Sequence, residues 1–501
     1  MTQLWIGSNL RGMFHRLSGS ARPLRKALLL VPILLIGLAA SHAQDLALRA
    51  GAAKADITPP LASDMQGPTG KYKNEHLYAR AIVLDNGVTR AALIGADQPN
   101  LSEEVWDNAS RRIAADLDCP VTNIIMSATH THSAVDPSAP MNSTSTASSL
   151  SKDDQRLADG IVAAAHEAKG KLQPAEMSWG TGSIDLNANR DAIDPKTHLW
   201  TQAPNTDAPS DKTVEVLSFT DLSGQPIGIY ANYAMHAING YLANFISGDF
   251  PGAMSAWIED AFNDKAIAIF TQNAEGDQNP LYLRPSTNGL ASRTDVPITG
   301  YEMVREPVEE PLRDQKVQGK PMDPIVRDRL QQWMQAEGIV LGEVVIRAMT
   351  HATEKERNVR IVGLQTEISC PGRVRSDSGA HANSGPTPYV IGMPATYQDG
   401  PSIPIRIGML GIGDVAVTHV DAEIYSLIGQ RIKSQSPMAH TMVVVLANGR
   451  SPSGYIPDDA SFSHLTFQVL ASHLKEGCAE DAISKGLDQM VTEYDSHLLK
   501  K

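Results

Sequence analysis

The chain has 501 residues, of which 42% are hydrophobic and 20% are charged, a composition that allows a substantial core and excludes wholesale disorder. Its formal net charge is −13, and no basic stripe interleaved with aromatic residues occurs along it. Contacts with phosphates need clustered Lys and Arg, so the sequence excludes nucleic acid as a partner.

The first 43 residues have the pattern of a secretory signal. Basic residues between Arg11 and Lys26 precede the apolar run ALLLVPILLIGLAA, and small residues stand three and one positions before a cut after Ala43. The apolar run is short for a bilayer span, which leaves an uncleaved anchor as the alternative. We predict cleavage after Ala43, export to the periplasm or beyond, and no stable membrane span after cleavage.

The elements predicted in chain order begin with a loop at 49–70, which is rich in Pro and Gly. Strands at 78–85 and 89–97 follow, joined by a tight turn at Asn86-Gly87. Hydrophobic periodicity then predicts a helix at 102–117, a strand at 121–128 and a helix at 153–172. Polar stretches at 141–151 and 281–324 are predicted to be a loop and an insertion or lid-like loop, respectively.

The remaining elements alternate between the two types. Further strands are predicted at 215–221, 226–236, 266–274, 359–369, 404–420 and 440–448. Further helices are predicted at 251–264, 325–350, 421–434, 462–475 and 480–499. No repeat or linker divides the chain, so we expect one α/β or α+β domain over 44–501, with a large mixed sheet, surrounding helices and a helical tail from about 460 to 501.

Two histidines one residue apart, His130 and His132, follow the predicted strand that ends at 128. In an extended segment, residues i and i+2 point to the same face, so both imidazoles would reach one spot and suit a metal ion. The alternative is that the two histidines only form hydrogen bonds at the end of the strand and bind no metal ion. A β-lactamase-like metal motif is excluded, because Ala134 and Val135 occupy the positions where it needs Asp and His.

Other polar side chains lie at the ends of later predicted strands, where sites of α/β proteins tend to lie. At the end of the predicted strand 226–236 lies His236. At the end of the strand 266–274 lie Asn273, Glu275 and Asp277, and at the end of the strand 404–420 lie His419, Asp421 and Glu423. The alternative for His236 is a buried histidine bonded to the backbone. The alternative for the last group is a set of carboxylates that complement a helix dipole.

Several separated motifs resemble the neutral ceramidase family in order and spacing. They are SATHTHS, Asn189-Arg190, YAMH, QNAEGDQNP, a Glu before GQR, GYIPDDASF and the opening GAAKADITPP. The resemblance covers roughly residues 50 to 470. It implies an α/β catalytic domain with a zinc ion at the bottom of a pocket and hydrolysis of the amide bond of N-acylsphingosines.

The resemblance also implies roles for individual residues. His130 and His236 correspond to the family's zinc-binding histidines, Glu423 to its zinc-binding glutamate, and Tyr455 to its tyrosine ligand. His132 and Arg190 fall where the family has residues that face the substrate. Gly67 corresponds to a glycine that lines the pocket.

Two departures from the family pattern are visible. Asn273 stands where the family pattern QSNxGD has a serine, and an asparagine there can still donate a hydrogen bond to an oxyanion. The residues that follow Tyr455 have helical periodicity, so the family's additional β-sandwich domain is not expected there. Long-chain ceramide is therefore only one candidate substrate.

Two imidazoles and one carboxylate leave a coordination position open for water, which suits zinc-dependent hydrolysis. We therefore expect an exported zinc amidase that acts on a linear N-acyl amide, from a small molecule or a lipid. A zinc esterase, lactonase or carbamate hydrolase and a catalytically inactive exported binding protein remain alternatives. The sequence leaves open the oligomeric state, any structural Ca²⁺ or Mg²⁺, and which of Cys119, Cys370 and Cys478 form a disulfide.

Overall fold

The computed structural model describes residues 47–61, 66–134, 150–240, 245–281, 324–376 and 391–498. The described residues all belong to one compact unit, Gln44–Lys501. The predicted signal sequence and most of the polar stretches at 141–151 and 281–324 lie outside the described residues. No helix within the described ranges is both long enough and apolar enough to cross a bilayer.

The helices and strands below are numbered in chain order over the described residues. The helices are α1 Glu103–Leu117, α2 Lys152–Gly170, α3 Asp249–Ala261, α4 Pro324–His351, α5 Ser426–Gln435, α6 Phe467–Ala471 and α7 Ala479–Leu498. The strands are β1 Arg49–Asp56, β2 Tyr78–Asp85, β3 Arg90–Ala96, β4 Ile124–Ala128, β5 Gln173–Ser183, β6 Asn187–Ile193, β7 Trp200–Asn205, β8 Thr213–Asp221, β9 Pro226–Tyr233, β10 Ile267–Gln272, β11 Gln278–Pro280, β12 Ile361–Arg375, β13 Tyr397–Ile412, β14 Val415–Val420, β15 Glu423–Ile424, β16 His440–Val444 and β17 Tyr455–Ile456.

A large mixed sheet dominates the fold, as the sequence predicts. Its order is β10-β9-β8-β5-β1-β2-β3-β4, and only its two outermost pairs are parallel. A second sheet, β12-β13-β14-β16, packs on it through one shared apolar core that includes Leu93 and Val417. Two smaller sheets have the orders β11-β6-β7 and β15-β17.

Helices cover the outer faces of both large sheets. Alternate residues of β2, such as Ala81 and Val83, belong to a core that includes Ile161 of α2, which places α1 and α2 on that face. Ile407 of β13 and Leu487 of α7 share the same core, so α7 covers the outer face of the second sheet. The long helix α4 packs against α3 and β5.

The edge strand β10 also packs against the face of β3. A Cβ atom added to Gly95 of β3 would lie 2.5 Å from the side chain of Ile269 in β10, so the two strands approach closely. The segment after β16 joins their neighbourhood, because the Val445 amide donates to Gln272 in β10 (3.0 Å) and the Ala128 amide of β4 donates to Leu446 (3.2 Å). Strand ends that are distant in the order of the sheet therefore meet in one place.

Most predicted elements are present within one to several residues of their expected bounds, but β1 is an error of the sequence analysis. We expected a loop there, and the structure shows a strand that pairs with β2 along its whole length. Its small residues are required by α2, since a Cβ atom at Gly51 would lie 2.2 Å from the Ala168 carbonyl oxygen. Small side chains therefore indicate close helix packing here and not a loop.

Two predicted helices are also corrected. The helix expected at 421–434 begins only at Ser426, because Glu423 and Ile424 pair with Tyr455 and Ile456 as a short parallel ladder. The helix expected at 462–475 is reduced to α6, because the backbone of His473 is tied to Ser453 and to Arg373 of β12. In both segments, backbone pairing with a distant strand prevails over local helical periodicity.

The cysteines are assigned by the structure. Cys370 of β12 and Cys478, just before α7, form a disulfide that spans 108 residues of sequence, and Cys119 is free. Burial raises the pKa of the Cys119 thiol to about 11, so this thiol is unreactive at neutral pH.

Candidate metal centre

His130 is held in the candidate site by an unusual backbone conformation. Strand β4 ends at Ala128, and His130 has φ of 64°, in the left-handed region that side chains with a Cβ rarely adopt. Its amide donates to the Gln98 carbonyl (2.9 Å), and its Nδ1 contacts the Pro99 carbonyl at 2.6 Å. The expected mechanism, two histidines on one face of a strand, is therefore wrong, although both imidazoles reach the same spot.

His236 follows β9 and is held in an equivalent way. Its Nδ1 lies 3.0 Å from the Gln278 carbonyl oxygen, and its side chain is almost fully buried. A nitrogen that faces a carbonyl carries a proton, so in the neutral imidazole Nε2 of His236, and likewise Nε2 of His130, presents a lone pair. Such an arrangement, with Nδ1 bound to a carbonyl, is typical of histidines that ligate metal ions.

Gln272 at the end of β10 fixes the two histidine segments relative to each other. Its Nε2 donates to the Thr129 carbonyl (3.1 Å) and to the Met235 carbonyl (2.7 Å), and its Oε1 accepts from the Met235 amide (3.2 Å). Each of these backbone groups precedes one of the histidines by one residue. One buried side chain thereby sets the spacing of His130 and His236.

Glu423 and Tyr455 enter the site together on the β15-β17 ladder, in which they are direct partners. Oε2 of Glu423 lies 3.3 Å from Nε2 of His130 and 3.3 Å from Nε2 of His236. The Tyr455 hydroxyl lies 3.4 Å from Nε2 of His236. The structure therefore brings together all four residues for which a ligand role is predicted.

These distances fit a metal ion. Two ligands each ~2.1 Å from a tetrahedral metal stand ~3.4 Å apart. Oε2 of Glu423 is buried and has no hydrogen-bond donor among the described residues, and the two nitrogens that face it bear lone pairs. Three electron-pair donors that face one another repel unless a cation lies between them.

His132, which is expected to face the substrate, lies within contact distance of the cluster. Its Nε2 is 3.2 Å from Nε2 of His130, and His130, His132 and His236 by themselves form a group with the spacing of metal ligands. The role of His132 as a residue that faces the substrate therefore stays a prediction.

Burial decides the charge of the imidazoles. The pKa of His236 is lowered to about 3, chiefly by burial and then by the positive charge of Arg190. The pKa of His132 is also lowered well below its usual value, by burial and then by His130 and His236. Neutral imidazoles are the form that binds metal ions.

Arg190 lies at the edge of the cluster. It is buried, its Nη2 donates to the Gly276 carbonyl (2.6 Å) and its Nη1 to Asn279 (3.1 Å), and its guanidinium carbon is 5.2 Å from the centre of the Tyr455 ring. The structure thus places Arg190 beside Tyr455, and its contact with a substrate stays a prediction.

Asn273 is not brought to the cluster. Its Nδ2 donates to Asp211 (3.2 Å), and its Oδ1 accepts from the Ala274 amide (2.6 Å). The side chain is buried and engaged in these contacts, and its role as an oxyanion donor stays a prediction.

Gly67 lies in the loop before β2, next to a bridge between Gln66 and Phe245. A Cβ atom there would lie 2.7 Å from the Leu61 side chain, so the position is crowded on that side. Its role in lining a pocket stays a prediction.

The other polar residues at strand ends divide into two groups. Asp277 accepts from the amide and hydroxyl of Ser426 at 2.8 and 2.9 Å and thereby fixes the start of α5. Asp421 accepts from the Arg406 amide (3.0 Å), and His419 contacts Asn448 (3.4 Å), so both are structural. Glu275, in contrast, belongs to the cluster.

Glu275 is the site residue to which the sequence analysis assigned no role. One carboxylate oxygen of Glu275 and one of Glu423 lie with ring nitrogens of His130 and His236 in a group whose atoms are all within 4.8 Å of one another. The signal was its position three residues beyond β10, which does not reveal the direction of its side chain.

The fold and the site together define a mixed α/β protein with a buried candidate metal centre of two histidines and two carboxylates at converging strand ends. Comparison with known proteins places the chain further. Residues 48–296 match the family described as neutral/alkaline non-lysosomal ceramidase, N-terminal. Through this segment the chain belongs to the neutral/alkaline non-lysosomal ceramidase family.

Curated relatives match about half of this chain. Neutral ceramidase of Pseudomonas aeruginosa is 29% identical over 290 residues, which cover 54% of this chain and 42% of the relative. Neutral ceramidase B of Dictyostelium discoideum is 28% identical over 235 residues, which cover 44% of this chain and 32% of the relative. The match thus spans less than half the length of these relatives.

Solved structures match over more of the chain. A ceramidase complexed with C2 superposes with a TM-score of 0.64 at 18% identity, covering 90% of this chain and 76% of the other. Neutral ceramidase from Pseudomonas aeruginosa superposes with a TM-score of 0.61 at 17% identity, covering 90% and 75%. These matches show that the fold extends beyond the family segment, which ends before Glu423 and Tyr455.

Proposed function

We propose that the chain is an exported, zinc-dependent hydrolase that cleaves the amide bond of an N-acyl substrate, with ceramide as one candidate. The observation that carries the proposal is the convergence of Nε2 of His130 and Nε2 of His236 on Oε2 of Glu423, each at 3.3 Å. Imidazole and carboxylate donors at this spacing suit zinc, which such ligands bind in tetrahedral geometry.

The residues of the chain prepare the site in three ways. Carbonyl oxygens of Pro99 and Gln278 orient the imidazoles of His130 and His236, and burial keeps His236 uncharged. Arg190 supplies a positive charge beside Tyr455, where it would stabilise negative charge that develops on a substrate oxygen. His132 would transfer a proton to the leaving nitrogen through its imidazole.

A zinc ion held by these donors would polarise the substrate carbonyl and activate water for attack. The choice of an amide rests on the family and on relatives named neutral ceramidases. The same chemistry applies to esters, so the bond cleaved must be measured.

The decisive experiment combines metal analysis with a panel of fluorogenic acyl amides and esters of short and long acyl chains. We expect one zinc ion per chain and hydrolysis of amides, both lost in His130→Ala. If His130→Ala retained zinc and hydrolysis, the proposal would fail. If the wild type contained no metal and hydrolysed no acyl compound, the result would instead support the alternative of a catalytically inactive binding protein.

Export is supported by the disulfide between Cys370 and Cys478, since such bonds persist in oxidising compartments. We expect the mature protein, isolated from the periplasm or the medium, to begin at Gln44. Sequencing of its amino terminus tests this; a protein that retains residues 1–43 in the membrane fraction would indicate an uncleaved anchor.

A further inference from the structure

Glu275 is a buried carboxylate whose oxygens are left unbonded by the described residues. Its exposed fraction is 0%, and neither of its oxygens has a hydrogen-bond donor in the part of the chain that the structure describes. Burial of an unpaired carboxylate is very unfavourable, and buried charges are normally paired or coordinate metals. Protonation alone does not resolve this, because neither oxygen has a hydrogen-bond partner of either kind, donor or acceptor, among the described residues.

The charges around Glu275 increase the imbalance. Its nearest acidic neighbour in the donor group is Glu423, which also lacks a hydrogen-bond donor for Oε2. Arg190 is the adjacent cation, but its two terminal nitrogens are bound to Gly276 and Asn279. Two carboxylates close together in a buried site repel each other. They therefore need a neutralising divalent cation more than one carboxylate alone would.

The backbone holds Glu275 against the Glu423 segment. The Gly276 amide donates to the Ile424 carbonyl (2.9 Å), and the Glu275 carbonyl accepts from the Gln278 amide (2.7 Å). A Cβ atom on Gly276 would lie 2.8 Å from the Ile424 oxygen and 3.0 Å from the Glu423 oxygen, so only glycine allows this approach. The position of Glu275 is therefore built into the fold of the site.

We propose that Glu275 is a second anionic ligand of the metal ion in this chain, in addition to Glu423. This inference rests on the metal site proposed above. The family pattern QSNxGD leaves the residue at this position unspecified, so the resemblance does not imply a ligand role for Glu275. With two neutral imidazoles and two carboxylates, the site neutralises the charge of a divalent ion completely.

The test uses the full chain, Zn²⁺ as the only added probe, and the isosteric substitution Glu275→Gln. We expect the zinc dissociation constant, measured by competition with a chelator, to rise at least about tenfold. The metal-free variant should melt at a higher temperature than the metal-free wild type, because a buried unpaired charge is removed. The increase in melting temperature on addition of zinc should therefore shrink.

Glu337→Gln is the matched control. Glu337 is also a buried glutamate in α4, and its oxygens accept from Asn239 (2.7 Å) and Trp333 (3.1 Å), outside the donor group. This variant should bind zinc as tightly as the wild type. Glu275→Asp, which retains the charge, should bind zinc with an affinity between those of the wild type and Glu275→Gln.

The outcomes separate this inference from the proposed function. Wild-type affinity for zinc in both Glu275→Gln and Glu275→Asp would overturn the ligand role of Glu275 and leave the metal site in place. A wild-type chain that binds no zinc would overturn both proposals. Equal losses of affinity in Glu275→Gln and Glu337→Gln would also overturn the ligand role, because the loss would then reflect general destabilisation.

Discussion

At the scale of single residues, the site depends on which nitrogen of each histidine points inward. Nδ1 of His130 and of His236 each faces a backbone carbonyl, so Nε2 of both rings points to Glu423. His132 differs, because its Nε2 lies 3.2 Å from Nε2 of His130. The two histidines of the pair are therefore expected to respond differently to substitution.

We predict that His132→Ala retains zinc but loses hydrolysis. If His132 only transfers a proton, its removal should lower kcat by about 10²–10⁴-fold and leave the zinc content unchanged. Zinc content by elemental analysis and kcat on the best amide substrate are the measurements. Loss of zinc to the level of His130→Ala would show instead that His132 is a ligand.

At the scale of elements, the site forms where segments after β4, β9, β10 and β14 meet. The short ladder β15-β17 delivers Glu423 and Tyr455, and the loop after β10 packs directly on that ladder. The contact is possible because residue 276 is glycine. A side chain there would separate Glu423 from the histidines.

We predict that Gly276→Ala weakens zinc binding and lowers the free energy of unfolding by about 1–3 kcal/mol, the usual cost of overpacking. Chemical denaturation and chelator competition measure the two effects. Gly170→Ala is the control, because a Cβ atom at that residue of α2 would meet nothing within 4 Å. Equal behaviour of the two variants would contradict the close approach.

A second prediction at this scale concerns the segment after α4, where Glu356 pairs with Met177 of β5. Partial burial raises the pKa of Glu356 from 4.5 to about 7, and the nearby carboxylates of Asp414 and Glu354 add to the effect. The folded chain therefore keeps a proton that the unfolded chain releases. The free energy of unfolding should be higher at acidic pH and fall as the pH rises through about 7.

Glu356→Gln removes this titration. We expect its melting temperature to exceed that of the wild type at pH 8 and to match it at pH 5. Glu476→Gln, at an exposed position that is not among the carboxylates acting on Glu356, serves as the control. A variant that changes the melting temperature equally at both pH values would indicate a packing effect and not the proton.

At the scale of the whole described unit, the second sheet and α7 are joined covalently. The disulfide between Cys370 and Cys478 spans 108 residues, among them both Glu423 and Tyr455. Closing so long a loop restricts the unfolded chain strongly. The half of the site that lies outside the family segment is thus the half that the disulfide stabilises.

We predict that replacement of both Cys370 and Cys478 by Ser lowers the free energy of unfolding by about 2–4 kcal/mol. Reduction of the wild type should have the same effect, whereas Cys119→Ser should change little, since Cys119 is free. Denaturation with and without reductant measures this. An unchanged midpoint after reduction would contradict the prediction.

The sequence by itself determined the alternation of elements, the large mixed sheet and the residues His130, His236, Glu423 and Tyr455 as partners. These features follow from local periodicity and from motifs that can be recognised one at a time. Only the tertiary structure decided the left-handed backbone at His130, the engagement of Asn273 with Asp211, the entry of Glu275 into the cluster and the pairing of the cysteines. The physical reason is that each of these depends on contacts between segments far apart in the chain, and local sequence does not encode the direction in which a side chain leaves a strand end.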